Sequence, residues 1–524
     1  MGDRLSAREL IDLVLDAGSY DSWDTPPRHP VVSPEYRAAL DEAQERTGAD
    51  ESVLTGSGEI RGRRVAVAVC EFGFLAGSIG VAAAERLVAA VERATAERLP
   101  LLAATASGGT RMQEGTVAFL QMVKISAAIA THKATGLPYL VYLRNPTTGG
   151  VFASWGSLGH VTVAEPGALI GFLGPRVYQH LHGQPFPEGV QRAENLRRRG
   201  IVDAVLPPEE IADIADRALR VLCGAPRPGA ATGAAGVGEL PVAEAVSDVP
   251  AWESILRSRA PERPGVRRLL KLAAEDVVPL HGAGDGEGDP GLLLALARFG
   301  DSPCVLLGQD RRGQAAGPAE HARVGSAASN GPGGPADRLL GPAALREARR
   351  GMRLAAELRI PLVTVIDTPG VALSPEAEEG GLAGQIARCL AELTMLDAPT
   401  LCLLLGQGAG GGALSLLPTD RVIAAQHAWL SPLPPEGASA IMYRSTDKAP
   451  EMAAQQGVRS LDLRRDGIVD RIIPERPDAA AEPETFCARV GAALESELAS
   501  LASQPAPVRH AARLARYRRI GRIR

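Results

Sequence analysis

Cysteine is sparse and scattered in this chain of 524 residues: Cys70, Cys223, Cys304, Cys389, Cys402 and Cys487 include no CxxC pair. That excludes a disulfide framework and a structural zinc site from the expectations, and leaves buried reduced thiols. No apolar run reaches the roughly 18 residues that a membrane helix needs. The opening MGDRLSARELIDLV places charges where a secretory signal would be apolar, so a cytoplasmic protein is expected, without a membrane role. Positive charge is not in excess either. A net charge of −5 and a pI near 6.1 provide no field that would gather nucleic acid. The basic tail from Arg509 to Arg524 is the local exception, and it is expected to form a solvated terminal helix.

Several motifs are also missing. Neither half places GxGxxG after its first strand with an acidic residue about 20 positions on, so a Rossmann dinucleotide site is not indicated. No Walker A sequence appears, and Ser154 and Ser157 lack the GxSxG surroundings of a hydrolase elbow, which makes them helix residues in this reading.

What is present is a duplication. Pro100 followed by LLAATASGG returns as Pro361 followed by LVTVIDTPG, 261 positions later. Pro138-YLVYLRNPTTGG and Pro399-TLCLLLGQGAGG keep the same 261-residue spacing, as do VTVAEPGAL from Val161 and VIAAQHAWL from Val422. Gly200-IVDAVLP and Gly467-IVDRIIP are 267 apart, which implies a short insertion in the second copy. Each copy alternates helical stretches such as AAAERLVAAVERATAER and AALREARRGMRLAAELR with short apolar strands that run into glycine, an α/β pattern. The Ala/Gly/Pro stretch 224–237 reads as a linker, giving domains at 1–237 and 238–524. Gly-rich stretches at 282–290 and 311–335 read as loops of the second copy.

Four strands run into glycine turns: Ser107-Gly108-Gly109, Thr148-Gly149-Gly150, Thr368-Pro369-Gly370 and Gly408-Ala409-Gly410-Gly411-Gly412. Glycine permits positive φ and close approach, and a helix beginning there aims unpaired N–H groups outward. One such turn commonly serves only chain reversal. Two per copy, at matching positions, can bring two amides onto one oxygen as an oxyanion hole.

ASGGTRMQEG (Ala106 to Gly115) and the segment from Gly136 to Val177 resemble the β subunit of bacterial acetyl-CoA carboxylase carboxyltransferase. IPLVTVIDTPG, GQGAGGGALSL and PPEGASAIMYRSTDKAP are similar to the α subunit, so the chain resembles a fusion of β and α. The resemblance implies two tandem crotonase-like ββα-spiral domains, acyl-CoA held mainly by the first and biotin by the second. It implies carboxyl transfer from carboxybiotin to acetyl-CoA, or a near relative such as propionyl-CoA, to give malonyl-CoA. Gly149 and Gly150 would hold the thioester oxygen as it becomes an enolate, and Gly411 and Gly412 the biotin ureido oxygen. Gly108, Gly109 and Gly370 would line the substrate sites. Arg111 and Arg176 are candidates for CoA phosphate or biotin on charge grounds, with capping or carboxylate pairing as the competing reading.

The cofactors implied are a CoA thioester and biotin on a separate carrier, because none of the four lysines, Lys124, Lys133, Lys271 and Lys448, is flanked by methionines. A biotin carboxyl carrier protein and a biotin carboxylase are therefore the expected partners, together with a second copy of the chain in a homodimer or larger assembly whose active site forms between chains. Residues 1–60 lack the cysteines of the family's zinc ribbon, so no metal is expected. Gln407 stands where the family commonly has glutamate. His160 and Glu165 read as structural, and Lys124 and Lys448 as surface ion pairs. Competing readings are a biotin-independent malonyl-thioester decarboxylase, a hydratase using Glu114 or Glu165, and a silent scaffold subunit.

Overall fold

The computed structural model describes residues 4–29, 33–172, 184–223, 247–311 and 339–520. They fall into two compact units, Met1–Gly224 with Gly284–Gly286, and Ala225–Ala283 with Glu287–Arg524. The linker expected at 224–237, with the domain boundary at 237/238, lies outside the described residues, as does most of the loop at 311–335.

The first unit is an eight-stranded sheet. Its strands are β1 (Asp21–Ser22), β2 (Val53–Ile60), β3 (Arg63–Cys70), β4 (Leu101–Ser107), β5 (Tyr139–Thr148), β6 (Val161–Ala164), β7 (Ile170–Gly171) and β8 (Ala204–Val205). They run in the order β1-β2-β3-β4-β5-β6-β8, with β7 beside the end of β5. The second unit repeats the plan with β9 (Glu275–Leu280), β10 (Leu292–Phe299), β11 (Ser302–Gln309), β12 (Leu362–Thr368), β13 (Thr400–Gly408), β14 (Arg421–Ala425) and β15 (Arg471–Ile473), in sequential order. In each unit an antiparallel pair, β2–β3 or β10–β11, leads into a parallel run. The parallel core strands are almost wholly buried, which is why they read as continuous apolar runs rather than alternating ones.

The duplication extends to backbone detail. Leu101 pairs with Tyr139 and Leu362 with Thr400, the same register 261 residues apart. Arg98 and Arg359, which close the helices Val81–Ala96 and Pro342–Leu358, both adopt left-handed φ, +54° and +55°, before the proline that stops each helix. Helix Val81–Ala96 buries Ala83, Ala84, Leu87, Val91 and Ala94, the stripe expected of i, i+3, i+4 spacing. It packs with Ile125 and Ile129 of helix Gly115–Ala134 over Val141 and Trp155.

Two expectations are corrected. Cys223 lies at the surface while the other five cysteines are buried. The basic tail is helical and most of it is exposed, but one face is not solvated: in helix Ala506–Arg519, Arg509 and Arg513 are buried, Arg513 fully. Its guanidinium donates to the carbonyls of Leu393 (2.9 Å), Thr394 (3.1 Å), Leu396 (2.8 Å) and Ala398 (3.2 Å), and pairs with Asp420 (2.8 Å). It therefore caps helix Leu382–Met395, whose last carbonyls have no partner within the helix. No helix among the described residues is long and apolar enough to cross a membrane.

His132, buried in helix Gly115–Ala134, meets Thr95 Oγ1 through Nδ1 (2.9 Å) and the Pro138 carbonyl through Nε2 (3.4 Å). Burial pushes its pKa down to about 4, and nearby His160 adds to the shift. The unfolded chain takes up this proton below roughly pH 6.5, whereas the folded one waits until about 4, so unfolding is favoured as pH falls through that window. Stability is expected to drop by up to about 3 kcal/mol from this residue between pH 6.5 and 4. In His132→Gln that part of the slope should vanish, as read by thermal melts across the window.

Candidate active site

In the first unit, strand β4 delivers Gly108 and Gly109, and β5 delivers Gly149 and Gly150 at the start of helix Gly149–Phe152. The β4–β5 ladder slips just before the turns: Thr105 faces Leu143, but Ser107 faces Thr147, so β5 holds two extra residues. Side chains bridge that opening. Thr105 and Thr147 hydroxyls are 2.9 Å apart, and Thr148 Oγ1 donates to the Ser107 carbonyl (3.2 Å).

The turns then touch. A Cβ at Gly109 would lie 3.7 Å from Gly150 N, and one at Gly149 would lie 3.5 Å from Gly109 Cα. Gly109 has φ +111° and Gly149 +61°. The Gly108 N–H donates to the Ala76 carbonyl (2.9 Å) and the Gly109 N–H to Ser107 Oγ (3.0 Å). With their N–H groups engaged, these two glycines supply space rather than donors at the turn. Gly150, second in its helix, has an N–H that the helix cannot use. Thr110 pairs with Ile79 through its neighbours, Ile79 N–H to the Gly109 carbonyl (2.9 Å) and Arg111 N–H to the Ile79 carbonyl (3.0 Å), which turns Thr110's own N–H the other way. Ser154 Oγ donates to the Gly150 carbonyl (2.5 Å) from the turn that precedes the 3-10 helix Trp155–Ser157, so Ser157 is a helix residue as expected and Ser154 stands just before one.

The second unit copies this backbone. Ile366 faces Leu404 and Thr368 faces Gly408, the same two-residue slip. Gly370, at φ +142°, is the counterpart of Gly109, and Gly410, at +62°, of Gly149. The expected pair Gly411 and Gly412 thus shifts by one relative to the duplication: Gly150 corresponds to Gly411, and Gly412 to the buried Val151. Gly412 is buried, with a Cβ position 3.1 Å from Val371 Cγ1 and 3.5 Å from the Gly370 carbonyl. Gly410's N–H is committed to the Ser431 carbonyl (2.9 Å). Leu340 brackets Val371 as Ile79 brackets Thr110. Thr110 and Val371 escaped the sequence reading although each immediately follows a matched glycine.

Arg111 is corrected outright. It has no exposed surface, and it forms a two-toothed pair with Glu51, at 2.9 Å from Nη1 to Oε2 and a closer contact through Nη2. It also donates to the Ser78 carbonyl (2.7 Å), Ser52 Oγ (3.1 Å) and Tyr36 OH (3.3 Å). Burial alone would weaken its charge, but Glu51 more than compensates and raises its pKa. It anchors the segment after the first turn and cannot reach a phosphate. Arg176 lies outside the described residues.

The carboxylates that a hydratase would need are occupied. Glu114 accepts from Tyr36 OH (2.5 Å) and from Val81 N–H (2.6 Å), capping helix Val81–Ala96, and Glu165 accepts from Asn145 N–H (2.8 Å). His160 Nδ1 accepts from Tyr139 N–H (3.0 Å), a structural bond. Lys124 pairs with Glu85, and Lys448 with Glu451 (2.8 Å). Gln407 Oε1 accepts from Arg259 Nε (3.1 Å). Arg259 also grips Glu436 (2.5 Å) and lies over Trp252 and Trp429. Burial pushes the Glu436 carboxyl up, but Arg259 outweighs it and holds the pKa below its ordinary value.

A duplicated α/β spiral with a touching pair of glycine turns in the first copy and a matching pair in the second is the architecture of the crotonase-like carboxyltransferases. The chain matches the carboxyl transferase domain family over residues 2–511. The probable biotin-dependent acyl-coenzyme A carboxylase beta3 subunit of Mycobacterium tuberculosis (strain ATCC 25618 / H37Rv) is 60% identical over 521 residues, 99% of each chain. The acetyl-coenzyme A carboxylase carboxyl transferase subunits beta/alpha of Salinispora arenicola (strain CNS-205) are 36% identical over 533 residues, covering 99% of this chain and 91% of theirs. The hexameric transcarboxylase 12S core, solved with methylmalonyl-coenzyme A, shares the fold with a TM-score of 0.71 at 21% identity, over 96% of this chain and 90% of that one. The chain belongs to the carboxyl transferase family, and it is a carboxyltransferase of a biotin-dependent acyl-CoA carboxylase.

Proposed function

We propose that the first unit binds the acyl-CoA acceptor, with acetyl-CoA preferred and propionyl-CoA next, and that the second unit binds biotin presented by a separate carrier protein loaded by a biotin carboxylase. The observation that carries this reading is the repeated turn, with one outward amide at Gly150 and its counterpart at Gly411. The acetyl preference is supported by the function named for the Salinispora relative; the beta3 subunit's name specifies no acyl chain.

The N–H groups of Thr110 and Gly150 face one thioester oxygen and stabilise the negative charge it gains as the α-carbon loses its proton. Val371 and Gly411 offer the equivalent pair to a ureido oxygen, and the Gly412 N–H, also in the first helical turn, borders it. These are neutral, preformed donors, which fits a ureido oxygen better than a carboxylate would. Carboxybiotin, when bound, supplies the carboxyl unit and a nitrogen able to take the α-proton. No side-chain base is then required, in keeping with Glu114 and Glu165 being held by backbone N–H groups. Removing a donor of this kind typically costs roughly 10²–10³ in kcat.

A second copy of the chain completes the site in this reading. Met112, Val117, Phe119, Leu120 and Val123 form a well-exposed apolar face at the start of helix Gly115–Ala134, directly after the first glycine turn. An apolar surface of this kind, beside the reacting groups, is suited to a protein partner.

The reverse reaction tests the proposal. Purified protein given malonyl-CoA or methylmalonyl-CoA is expected to release acetyl-CoA or propionyl-CoA only when biotin or biocytin is added, with malonyl-CoA the better substrate. Turnover without biotin would indicate a decarboxylase, and no turnover even with a carrier protein would indicate a scaffold.

A further inference from the structure

We infer that Gln309 is a positioning residue that holds the second glycine turn, and that its effect falls on the step served by that turn and not on CoA-thioester binding. The inference rests on the reading of the second unit as the biotin side.

Gln309 is the last residue of β11 and is buried. The β11–β12 ladder ends at Gly308↔Val365, and beyond it β12 and β13 open at their two-residue slip. Side chains span the opening. Gln309 Oε1 accepts from the Asp367 N–H (3.2 Å), while its Nε2 donates to the Gly412 carbonyl (2.6 Å). Asp367 Oδ1 in turn accepts from the Gln407 N–H (3.0 Å), with Arg311 Nε 3.4 Å away. Gly406 makes room for that carboxylate, since a Cβ there would fall 2.5 Å from Asp367 Oδ1. One amide therefore ties the strand leading into Gly370 to the first turn of the helix that carries Gly411.

The first unit solves the same problem differently. The last residue of β3, equivalent to Gln309, is Cys70, a buried thiol. Thr105, Thr147 and Thr148 close the gap. Only the second unit has this single side chain acting as both acceptor and donor across the opening. Disturbing it should misdirect the amides of the second turn while leaving those of the first in place.

In the biocytin-dependent decarboxylation of malonyl-CoA, Gln309→Met, of similar volume but without either hydrogen bond, is expected to lower kcat about 10- to 100-fold, a fraction of the loss for a whole donor. KM for malonyl-CoA should stay within about twofold of the parent value. Gln309→Glu gives the second readout. Its ionised carboxylate would face the Gly412 carbonyl, but the protonated form can donate there and still accept from Asp367. Its kcat, relative to the parent at each pH, should therefore rise as pH falls. If the parent protein shows no biocytin dependence, the functional reading fails first. If the parent is biocytin-dependent but Gln309→Met keeps kcat, or loses only KM for malonyl-CoA, the positioning role is wrong. Should Gln309→Met melt before assay temperature, the pH profile of Gln309→Glu decides alone, and a relative kcat that does not rise toward acid overturns the inference.

Discussion

Gly109→Ala is expected to lower kcat for carboxyl transfer by about 10²–10³ while leaving a folded protein, because the added methyl crowds the Gly150 amide proposed as a donor and spares the core. The backbone at Gly109 has φ +111°, outside even the left-handed helical region that other residues occasionally adopt. Alanine there carries strain of about 1–3 kcal/mol. Its methyl would nevertheless meet no hard clash, since its nearest neighbours are the Thr148 carbonyl at 3.6 Å and Gly150 N at 3.7 Å. The second of these contacts matters for function: the methyl group covers the amide assigned to the thioester oxygen. Gly370→Ala makes the comparison, with φ +142° and no atom within 4 Å of the added carbon. It carries similar strain without covering a donor. Steady-state kinetics of the malonyl-CoA reaction, with melting curves for each variant, separate the two effects. A Gly109→Ala protein within a few-fold of parental kcat would remove the first oxyanion hole from the mechanism.

Arg111→Met is expected to cost about 3–5 kcal/mol of stability, the largest folding effect among the residues discussed, because it leaves the Glu51 carboxylate buried without its counter-charge. Both side chains are wholly inaccessible. The guanidinium also satisfies the Ser78 carbonyl (2.7 Å), which the thioether cannot. Glu51→Gln combined with Arg111→Met should recover part of the loss, since the unpaired charge is then gone; denaturant melts of the two single variants and the double variant provide the cycle. A loss that simply adds would show that the pair is not energetically coupled. A phosphate-binding arginine would instead raise KM for the CoA substrate with little change in stability.

The duplication was legible because strands and turns carry their own signals: apolar runs of fixed length, glycine where positive φ is required, and proline after the helix. Those signals survived at a spacing of 261 residues even where side chains diverged. Arg111 was misread for the opposite reason. Its role depends on Glu51, 60 positions earlier, and no local spacing distinguishes an arginine facing a pocket from one facing a buried carboxylate. Arg513 was hidden similarly, since a basic helix looks solvated until the carbonyls of residues 393–398 are brought against it. In GAGGG, the run of glycines conceals its own register, and the parallel bridge Ala409↔Ser431 is what assigns the left-handed residue to Gly410. Gln309 gave no motif at all, because its partners stand 58 and 103 residues away.

The two-residue slip between the central strands occurs at the same place in both units, yet threonines close it in one and a glutamine and an aspartate in the other. The bend therefore does not depend on one set of side chains: two different fastenings hold the same backbone shape. Grafting the fastenings of one half onto the other would show whether each set suits the bend itself or only its own neighbours.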